Sequence, residues 1–178
     1  MLRDRNLIPL SHQHQHALAL CVQIERGLRL EKPDLTTPAR AKAARAGDAA
    51  QHWQQEIARL FESEIRFHFE AEEKVLFPFA ERAPSLRDLV DELRIEHASL
   101  RQYAASAAAG RLSVPELQLF AASLAAHVRK EERRLFEGIQ EFFSGEELAK
   151  AGAELDSYFL HSGMPGASCA LRPEKNSR

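Results

Sequence analysis

Hydrophobic side chains recur every three or four residues along most of the chain, which is the spacing of one face of an α-helix. Almost no segment alternates with the two-residue period of a β-strand. The pattern predicts a first helix from about Ser11 to Leu30, which Lys32 and Pro33 end. An Ala-rich segment over 39–46 is predicted to form a short helix of its own.

Breaking and capping residues predict the bounds of the later helices. Gly47 breaks the Ala-rich helix, Asp48 caps a second long helix, and Pro78 stops that helix after Phe77. A third helix is expected from a capping box at 85–88 to Gly110, and a fourth from a capping box at 113–116 to the Ser-Gly pair at 144–145. A shorter amphipathic helix is predicted over 146–160.

Four helices of roughly 20 to 30 residues, joined mostly by short loops, predict an all-α fold. The expected architecture is an antiparallel up-down four-helix bundle with a short C-terminal helix and a flexible tail. The bundle is assigned to residues 1–160. Residues 161–178 are rich in Gly, Ser and Pro and are predicted to form a disordered tail.

Composition narrows the class of protein. The 178 residues include 24 Lys and Arg against 26 Asp and Glu, and this balance argues against a nucleic-acid partner. No apolar run approaches the roughly 18 residues that span a membrane, and the first residues do not resemble a signal peptide. Cys21 and Cys169 are too few for a disulfide framework. We therefore expect a cytoplasmic protein without a membrane partner.

One ten-residue pattern, H-x-x-x-E-E-x-x-L-F, occurs twice, beginning at His68 and at His127. Side chains four residues apart lie on the same helix face, one turn apart. His68 and Glu72 are therefore predicted to point into the bundle together, as are His127 and Glu131. Each pair offers one imidazole and one carboxylate to a metal ion on the bundle axis.

Two more histidines, His14 and His97, fall on the apolar stripes of the first and third helices. In the first helix His16 is a second choice, should the start of the helix be distorted, and His12 is expected to face solvent. Burying four imidazoles and two carboxylates without compensation would cost several kcal/mol for each unpaired charge. A metal cluster is the simplest arrangement that offsets this cost.

The order of these motifs on four helices resembles the hemerythrin-like (HHE cation-binding) domains, over about residues 7–143. The resemblance rests on these segments: Leu10-Ser11-x-x-His14, His68-x-x-x-Glu72-Glu73 with Leu76-Phe77-Pro78, Glu96-His97, and His127-x-x-x-Glu131-Glu132. It implies two non-haem iron ions joined by an oxo or hydroxo bridge. Glu72 and Glu131 would be the bridging carboxylates. The implied terminal ligands are His14, His68, His97 and His127.

The chain departs from the animal oxygen carriers of this family at one ligand. Those proteins have a second histidine on the third helix, where this chain has Leu93 or Arg101. Glu64 is open to three interpretations: a further ligand, an acceptor for an imidazole N–H, or a surface ion-pair partner. Glu73 and Glu132 are expected near the ligands or in solvent, and either is an alternative bridge.

Ligand chemistry alone also permits manganese or zinc, and iron is favoured by the resemblance. We interpret Glu96 as a surface residue. The leading hypothesis for function is a di-iron protein that binds oxygen or a related small ligand for storage, transport or sensing. The alternatives are a di-iron enzyme that acts on oxygen, peroxide or nitric oxide, and an iron-responsive interaction module. The oligomeric state is left open.

Overall fold

Five helices make up the part of the protein that the computed structural model describes, residues 2–30 and 39–163. They are α1 (Ile8–Leu30), α2 (residues 39–80), α3 (Arg87–Ala108), α4 (residues 114–142) and α5 (Gly145–His161). Over these residues the fold is all-helical, with no strand, as the sequence predicts. The predicted tail lies outside the described residues from position 164 onwards.

The predicted break at Gly47 is wrong, because α2 runs through it without interruption from Ala39. Asp48 is therefore an interior helical residue and does not cap the helix. A glycine inside a helix costs roughly 1 kcal/mol relative to alanine. Packing further along the same helix outweighs that cost, since Ile57 and Leu60 are buried in the core.

Pro78 does not end α2, which continues to Ala80. A π-helical turn over Glu72–Leu76 lies directly before the proline, and there the N–H of Phe77 donates to the carbonyl of Glu72. The regular i to i−4 ladder is already interrupted at this point. A residue without an N–H is tolerated here because it opens a new helical segment.

Helix caps follow the sequence prediction in part. The predicted box at Ser85 is wrong: a 3₁₀ turn over Pro84–Leu86 leads into α3, and no side chain caps it. At the start of α4 the box is present, and the Ser113 N–H donates to a Glu116 carboxylate oxygen at 2.7 Å. α5 begins at a box formed by Ser144 and Glu147.

Gly110 lies at the end of α3, and a turn at Asp4 precedes the start of α1. Gly110 follows α3 with a φ of 67°, in the left-handed region that favours glycine. α1 begins at Ile8, one turn before the predicted Ser11. A turn at Asp4 leads into this helix. The Asp4 side chain accepts from the Asn6 N–H at 2.9 Å, and the Asp4 carbonyl accepts from the Leu7 N–H at 3.0 Å.

A polar layer separates two apolar cores. On α1, Leu10 belongs to one core and Ala17 to the other; on α3, Leu93 and Leu100 divide in the same way. The residues midway between them, His14 and His97, belong to neither cluster. α5 packs only on the core that contains Leu10, through the buried side chains of Leu148, Leu155 and Phe159. No helix among the described residues is both long enough and apolar enough to span a membrane.

Candidate metal centre

The polar layer contains all six residues that the sequence singled out as ligands. Each is at most 4% exposed, and they come from four helices. They are His14, His68, Glu72, His97, His127 and Glu131. Four imidazoles and two carboxylates are therefore buried together at the level where apolar packing stops.

The six side chains form two overlapping groups. The first half-site consists of His14, His68, Glu72 and Glu131, and the second consists of Glu72, His97, His127 and Glu131. Within each group one nitrogen or oxygen atom per residue lies within 4.8 Å of the others. Both carboxylates belong to both groups, so they are placed between two positions where a cation could bind.

In the first half-site the Nε2 atoms of His14 and His68 lie 3.0 Å apart. Two imidazole nitrogens about 2.1 Å from one ion, at about 90° to each other, would lie about 3.0 Å apart. His14 Nε2 is 3.1 Å from Oε2 of Glu131, and His68 Nε2 is 3.3 Å from Oε2 of Glu72. These separations suit a single ion held by all four residues.

The second half-site repeats this geometry. The Nε2 atoms of His97 and His127 are 3.1 Å apart. His127 Nε2 lies 3.1 Å from Oε1 of Glu131, and His97 Nε2 lies 3.4 Å from Oε2 of Glu72. Glu131 thus presents Oε2 to one half-site and Oε1 to the other.

Each histidine is oriented by a hydrogen bond at its Nδ1 atom. The acceptors are Glu132 for His14 at 2.7 Å, Gln13 for His68 at 2.8 Å, Glu73 for His97 at 2.9 Å and Glu96 for His127 at 2.8 Å. A carboxylate or amide oxygen at Nδ1 favours the tautomer that carries its proton there. The Nε2 lone pairs then point into the centre, where a metal ion would need them.

The chemistry of the two central carboxylates also fits a cation. No oxygen of Glu72 or Glu131 accepts a hydrogen bond from any described residue, although both side chains are fully buried. Buried carboxylates normally have hydrogen-bond, ion-pair or metal partners. Three of the four oxygens, Oε2 of Glu72 and both oxygens of Glu131, lie more than 3 Å from imidazole nitrogens, an arrangement that could hold an ion.

Electrostatics couple the two residue types. Burial alone lowers the pKa of His14 and of His97, but the neighbouring carboxylates outweigh it and raise each pKa to about 10. Burial acts in the opposite direction on Glu131, yet the nearby imidazoles hold its pKa well below the ordinary value. Without metal, protons on His14 and His97 balance carboxylate charge, so cations and protons compete for the same nitrogen atoms.

Each carboxylate that accepts from a histidine Nδ1, in Glu73, Glu96 and Glu132, is also paired with a positively charged side chain. Arg101 donates to Glu73 at 2.7 and 3.0 Å. Arg3 donates to Glu132 at 2.5 Å, and Lys130 donates to Glu96. The pKa of Glu73 and that of Glu132 fall to about 2, because hydrogen bonds from histidine and arginine neighbours outweigh burial. These carboxylates stay ionised and available to the Nδ1 protons.

The repeated sequence produces a repeated backbone feature. α2 turns π-helical over Glu72–Leu76 and α4 over Glu131–Leu135, at the same place in each copy of the pattern. Each π turn begins at a central glutamate. Single π turns inside α-helices are frequent at functional sites. Glu73 and Glu132, each the second residue of a π turn, reach histidines of neighbouring helices, His97 and His14 respectively.

The remaining candidates are placed as follows. His16 is exposed, and its Nδ1 lies 2.7 Å from Oε2 of Glu64. Glu64 is therefore both an imidazole acceptor and a surface ion-pair partner, in each case for His16 and not for a central histidine. His12 is exposed, as predicted. The interpretation of Glu96 as a surface residue is incomplete, because its carboxylate orients His127. Arg101 bonds to Glu73, and Leu93 is buried in an apolar core.

Sequence reasoning missed Gln13 altogether. The feature of the sequence that indicates its role is its position directly before a ligand candidate: Gln13 precedes His14, as Glu96 precedes His97. Gln13 and Glu96 each orient a histidine of the next helix in the chain. A comparison of the residues beside each predicted ligand would have found this match.

A narrow cavity adjoins the first half-site, with room for about one water-sized molecule. Its polar lining comes from Gln13, Glu64 and three of the central histidines. The rest of its wall is apolar and comprises Ala17, Leu60, Ile65, Phe69, Leu124 and Val128. His97 does not line it, because the Phe69 ring stacks on that imidazole at a centroid distance of 3.8 Å.

A helical fold with four oriented imidazoles around two shared carboxylates defines a cation-binding bundle protein. The family model of the hemerythrin HHE cation binding domain matches residues 9–139. The chain belongs to that family. Comparison with curated proteins and with solved structures finds no significant match.

Proposed function

We propose that this protein holds two non-haem iron ions, one in each half-site, and binds oxygen or a related small ligand there. The observation that carries the proposal is the sharing of Glu72 and Glu131 between two sets of histidines. A single-ion site would need only one such set. Membership of the hemerythrin family favours iron over manganese and zinc, which the same ligand types would accept.

Each residue has a role that follows from its position. His14 and His68 would bind one ion and His97 and His127 the other, each through Nε2. Glu131 has one oxygen for each ion, and the buried layer keeps bulk water away. Ferrous iron, when bound, supplies the electrons that binding of oxygen requires.

The cavity beside the first half-site supports a small ligand rather than a large substrate. Its space suits about one diatomic molecule. Mainly apolar walls favour a neutral ligand such as oxygen over a charged metabolite. Storage, transport and sensing are all consistent with such a pocket.

We also infer that the four long helices form an antiparallel up-down bundle. Along two successive helices the residue numbers of contacting pairs run in opposite directions. Between α1 and α2, His14 contacts His68 and His16 contacts Glu64. Between α2 and α3, Glu81 contacts Arg94 and Glu73 contacts Arg101. The same order holds between α3 and α4, where Glu92 and Glu96 pair with Lys130 and His127, and Leu86 lies against Gly138.

Metal analysis is the direct test. Protein purified without added metal, and protein reconstituted anaerobically with ferrous iron, should contain about two irons per chain. An oxidised sample should absorb in the near ultraviolet through charge transfer to the bridged pair. A maximum of one ion per chain, or none after reconstitution, would contradict the proposal.

The enzyme hypothesis is separated from the binding hypothesis by kinetics. Stopped-flow mixing of the ferrous protein with oxygen should give an adduct that reverses when oxygen is removed. Repeated consumption of oxygen, peroxide or nitric oxide by each chain would instead establish an enzyme. An interaction module would need a partner that binds the iron-loaded protein and not the metal-free protein.

A further inference from the structure

His16 and Glu64 form a pair at the outer end of the cavity. Nδ1 of His16 lies 2.7 Å from Oε2 of Glu64, and their side chains are 63% and 26% exposed. Glu64 lines the internal cavity, and together with His16 it also lines an open groove on the surface. One carboxylate therefore faces both solvent and the space next to His14 and His68.

Glu64 differs from the other partly exposed carboxylates around the centre. Glu73, Glu96 and Glu132 each bond to an arginine or lysine, which neutralises them and covers their side of the centre. Among the described residues, the only ion pair of Glu64 is with His16. Arg59 lines the same groove and interacts electrostatically with Glu64, but its guanidinium hydrogen-bonds to Glu56. At this mouth a carboxylate next to the cavity therefore faces solvent without a salt bridge to any lysine or arginine that the structure describes.

We propose that His16 and Glu64 form a loading site, at which a divalent cation binds before it passes through the cavity to His14 and His68. The inference depends on the proposed function, because it assumes that the centre takes up cations. An imidazole with a carboxylate suits Fe²⁺, Mn²⁺, Co²⁺ and Zn²⁺. Two protein ligands leave the rest of the ion hydrated, so binding is weak enough for release inwards.

The interior supplies the driving force for that transfer. Beyond the cavity lie the four carboxylate oxygens of Glu72 and Glu131, which have no hydrogen-bond donor among the described residues. A cation at the mouth is attracted to these buried charges, since electrostatic interactions strengthen where water is excluded. The polar groups along the way are Gln13, His14 and His68. Narrow apolar walls mean that side chains such as Leu60 must move as the ion passes.

The test measures the rate of loading. Metal-free protein is mixed in a stopped-flow instrument with Co²⁺ at low ionic strength, and the visible absorption of bound cobalt is followed. Glu64→Gln should load about tenfold more slowly, as expected when an attracting charge is removed. Its final cobalt content and absorption spectrum should equal those of the unaltered protein.

Glu62→Gln is the matched control, because Glu62 and Glu64 lie on one further π turn of α2, Phe61–Ile65, and Glu62 is 69% exposed and pairs with Arg66. It should load at the unaltered rate. His16→Gln removes the other half of the pair and should slow loading, whereas His12→Gln, on the same helix and also exposed, should not. Two independent variants keep the test valid if one of them folds poorly.

The outcomes separate the two proposals. Unaltered loading rates in both Glu64→Gln and His16→Gln would overturn the loading site while leaving the centre intact. Reduced final cobalt content in Glu64→Gln would also overturn it, because Glu64 would then be a ligand of the centre. Failure of the unaltered protein to bind any cobalt or iron would count against the proposed function itself.

Discussion

The two half-sites have matching candidate ligands and different surroundings. In each, two histidines from successive helices face each other at about the same Nε2 separation, 3.0 Å in the first and 3.1 Å in the second. The match extends outwards: Phe136 stacks on His14 at 5.5 Å, and Phe77 stacks on His97 at 5.3 Å. These phenylalanines are the last residues of the two repeated patterns.

The surroundings differ at the residue that follows the histidine of each repeat. There Phe69 covers His97 with its ring and also borders the cavity, whereas Val128, at the equivalent position of the second repeat, borders the cavity but has no ring to cover a histidine. Partners at Nδ1 differ too, since His68 has the neutral amide of Gln13 and His127 has the carboxylate of Glu96. The protein thus repeats its candidate metal-binding groups, while the cavity reaches both histidines of the first half-site and only His127 of the second.

Removing a shared carboxylate should have the largest effect, because it damages both half-sites at once. Glu131→Ala is expected to reduce iron from about two ions per chain to less than one. His127→Ala, which belongs to the second half-site alone, should retain about one ion. Elemental analysis after anaerobic reconstitution measures both.

Glu141→Ala provides the control, since Glu141 lies near the end of the same helix and is exposed. It should bind as much iron as the unaltered protein. Equal iron content in Glu131→Ala and His127→Ala would show that Glu131 is not shared between two ions.

Exchanging Phe69 and Val128, the equivalent cavity-lining residues of the two repeats, should change which half-site is more accessible from the cavity. Phe69→Val is expected to cost about 2 kcal/mol in the free energy of unfolding, because a buried ring is lost, and to open a space beside His97. Val128→Phe should cost about 1–3 kcal/mol by overpacking and slow the access of nitric oxide to the ferrous protein. Urea denaturation and stopped-flow mixing give the two quantities.

An exposed residue of α4 supplies the reference for this pair. Leu119→Val, at a side chain that is 53% exposed, should change stability by less than about 0.5 kcal/mol. If Val128→Phe bound nitric oxide as fast as the unaltered protein, the cavity would not be the route to the centre.

The sequence predicted the parts of the molecule that depend on helical periodicity. His14, His68, His97 and His127 were found because each continues an apolar stripe, and all four are buried together. The bounds of the short fifth helix, predicted as 146–160, differ by one residue at each end. Period and spacing are local properties, so a single sequence carries them.

The features that the sequence did not predict depend on packing between helices. Gly47 and Pro78 carry breaking signals, yet buried contacts and a preceding π turn keep α2 continuous through both. Nothing in the pattern E-E-x-x-L indicated a π turn. Glu73 was expected near the ligands or in solvent, but its partner, His97 of the next helix, was not predicted. Gln13 was missed because its role exists only once α1 and α2 are in contact.

In the metal-free protein, one histidine of each half-site should make stability depend on pH. His14 and His97 have a pKa of about 10 in the folded state, against about 6.5 unfolded. Their contribution to stability is complete below pH 6.5 and is lost as the pH rises towards 10. The melting temperature of chelator-treated protein should therefore fall by several degrees between pH 6.5 and 9, as followed by circular dichroism.

Iron-loaded protein is the control for this titration. Its histidines bind metal at Nε2 and have no proton there to lose, so its melting temperature should be nearly constant over the same range. The window ends at pH 9 because burial raises the pKa of the Cys21 thiol to about 12, which adds a further loss of stability at higher pH. A metal-free melting temperature that stayed constant or rose would contradict the assigned protonation.

The smallest effect is expected from making the outer partners of the two half-sites alike. Gln13→Glu gives His68 a carboxylate acceptor, as His127 already has in Glu96, and a carboxylate at Nδ1 makes the imidazole a stronger ligand. Affinity of the first half-site for Co²⁺ should rise by about tenfold, and Glu96→Gln should lower that of the second by about the same factor. Gln15→Glu, an exposed position on α1, controls for the added charge.

Spectroscopic titration with Co²⁺ should resolve two binding steps, one for each half-site. Because the half-sites are not equivalent, each variant should shift a different step. Equal movement of both steps in either variant would mean that the two ions respond as a single unit, and the outer partners would then not explain any difference between them.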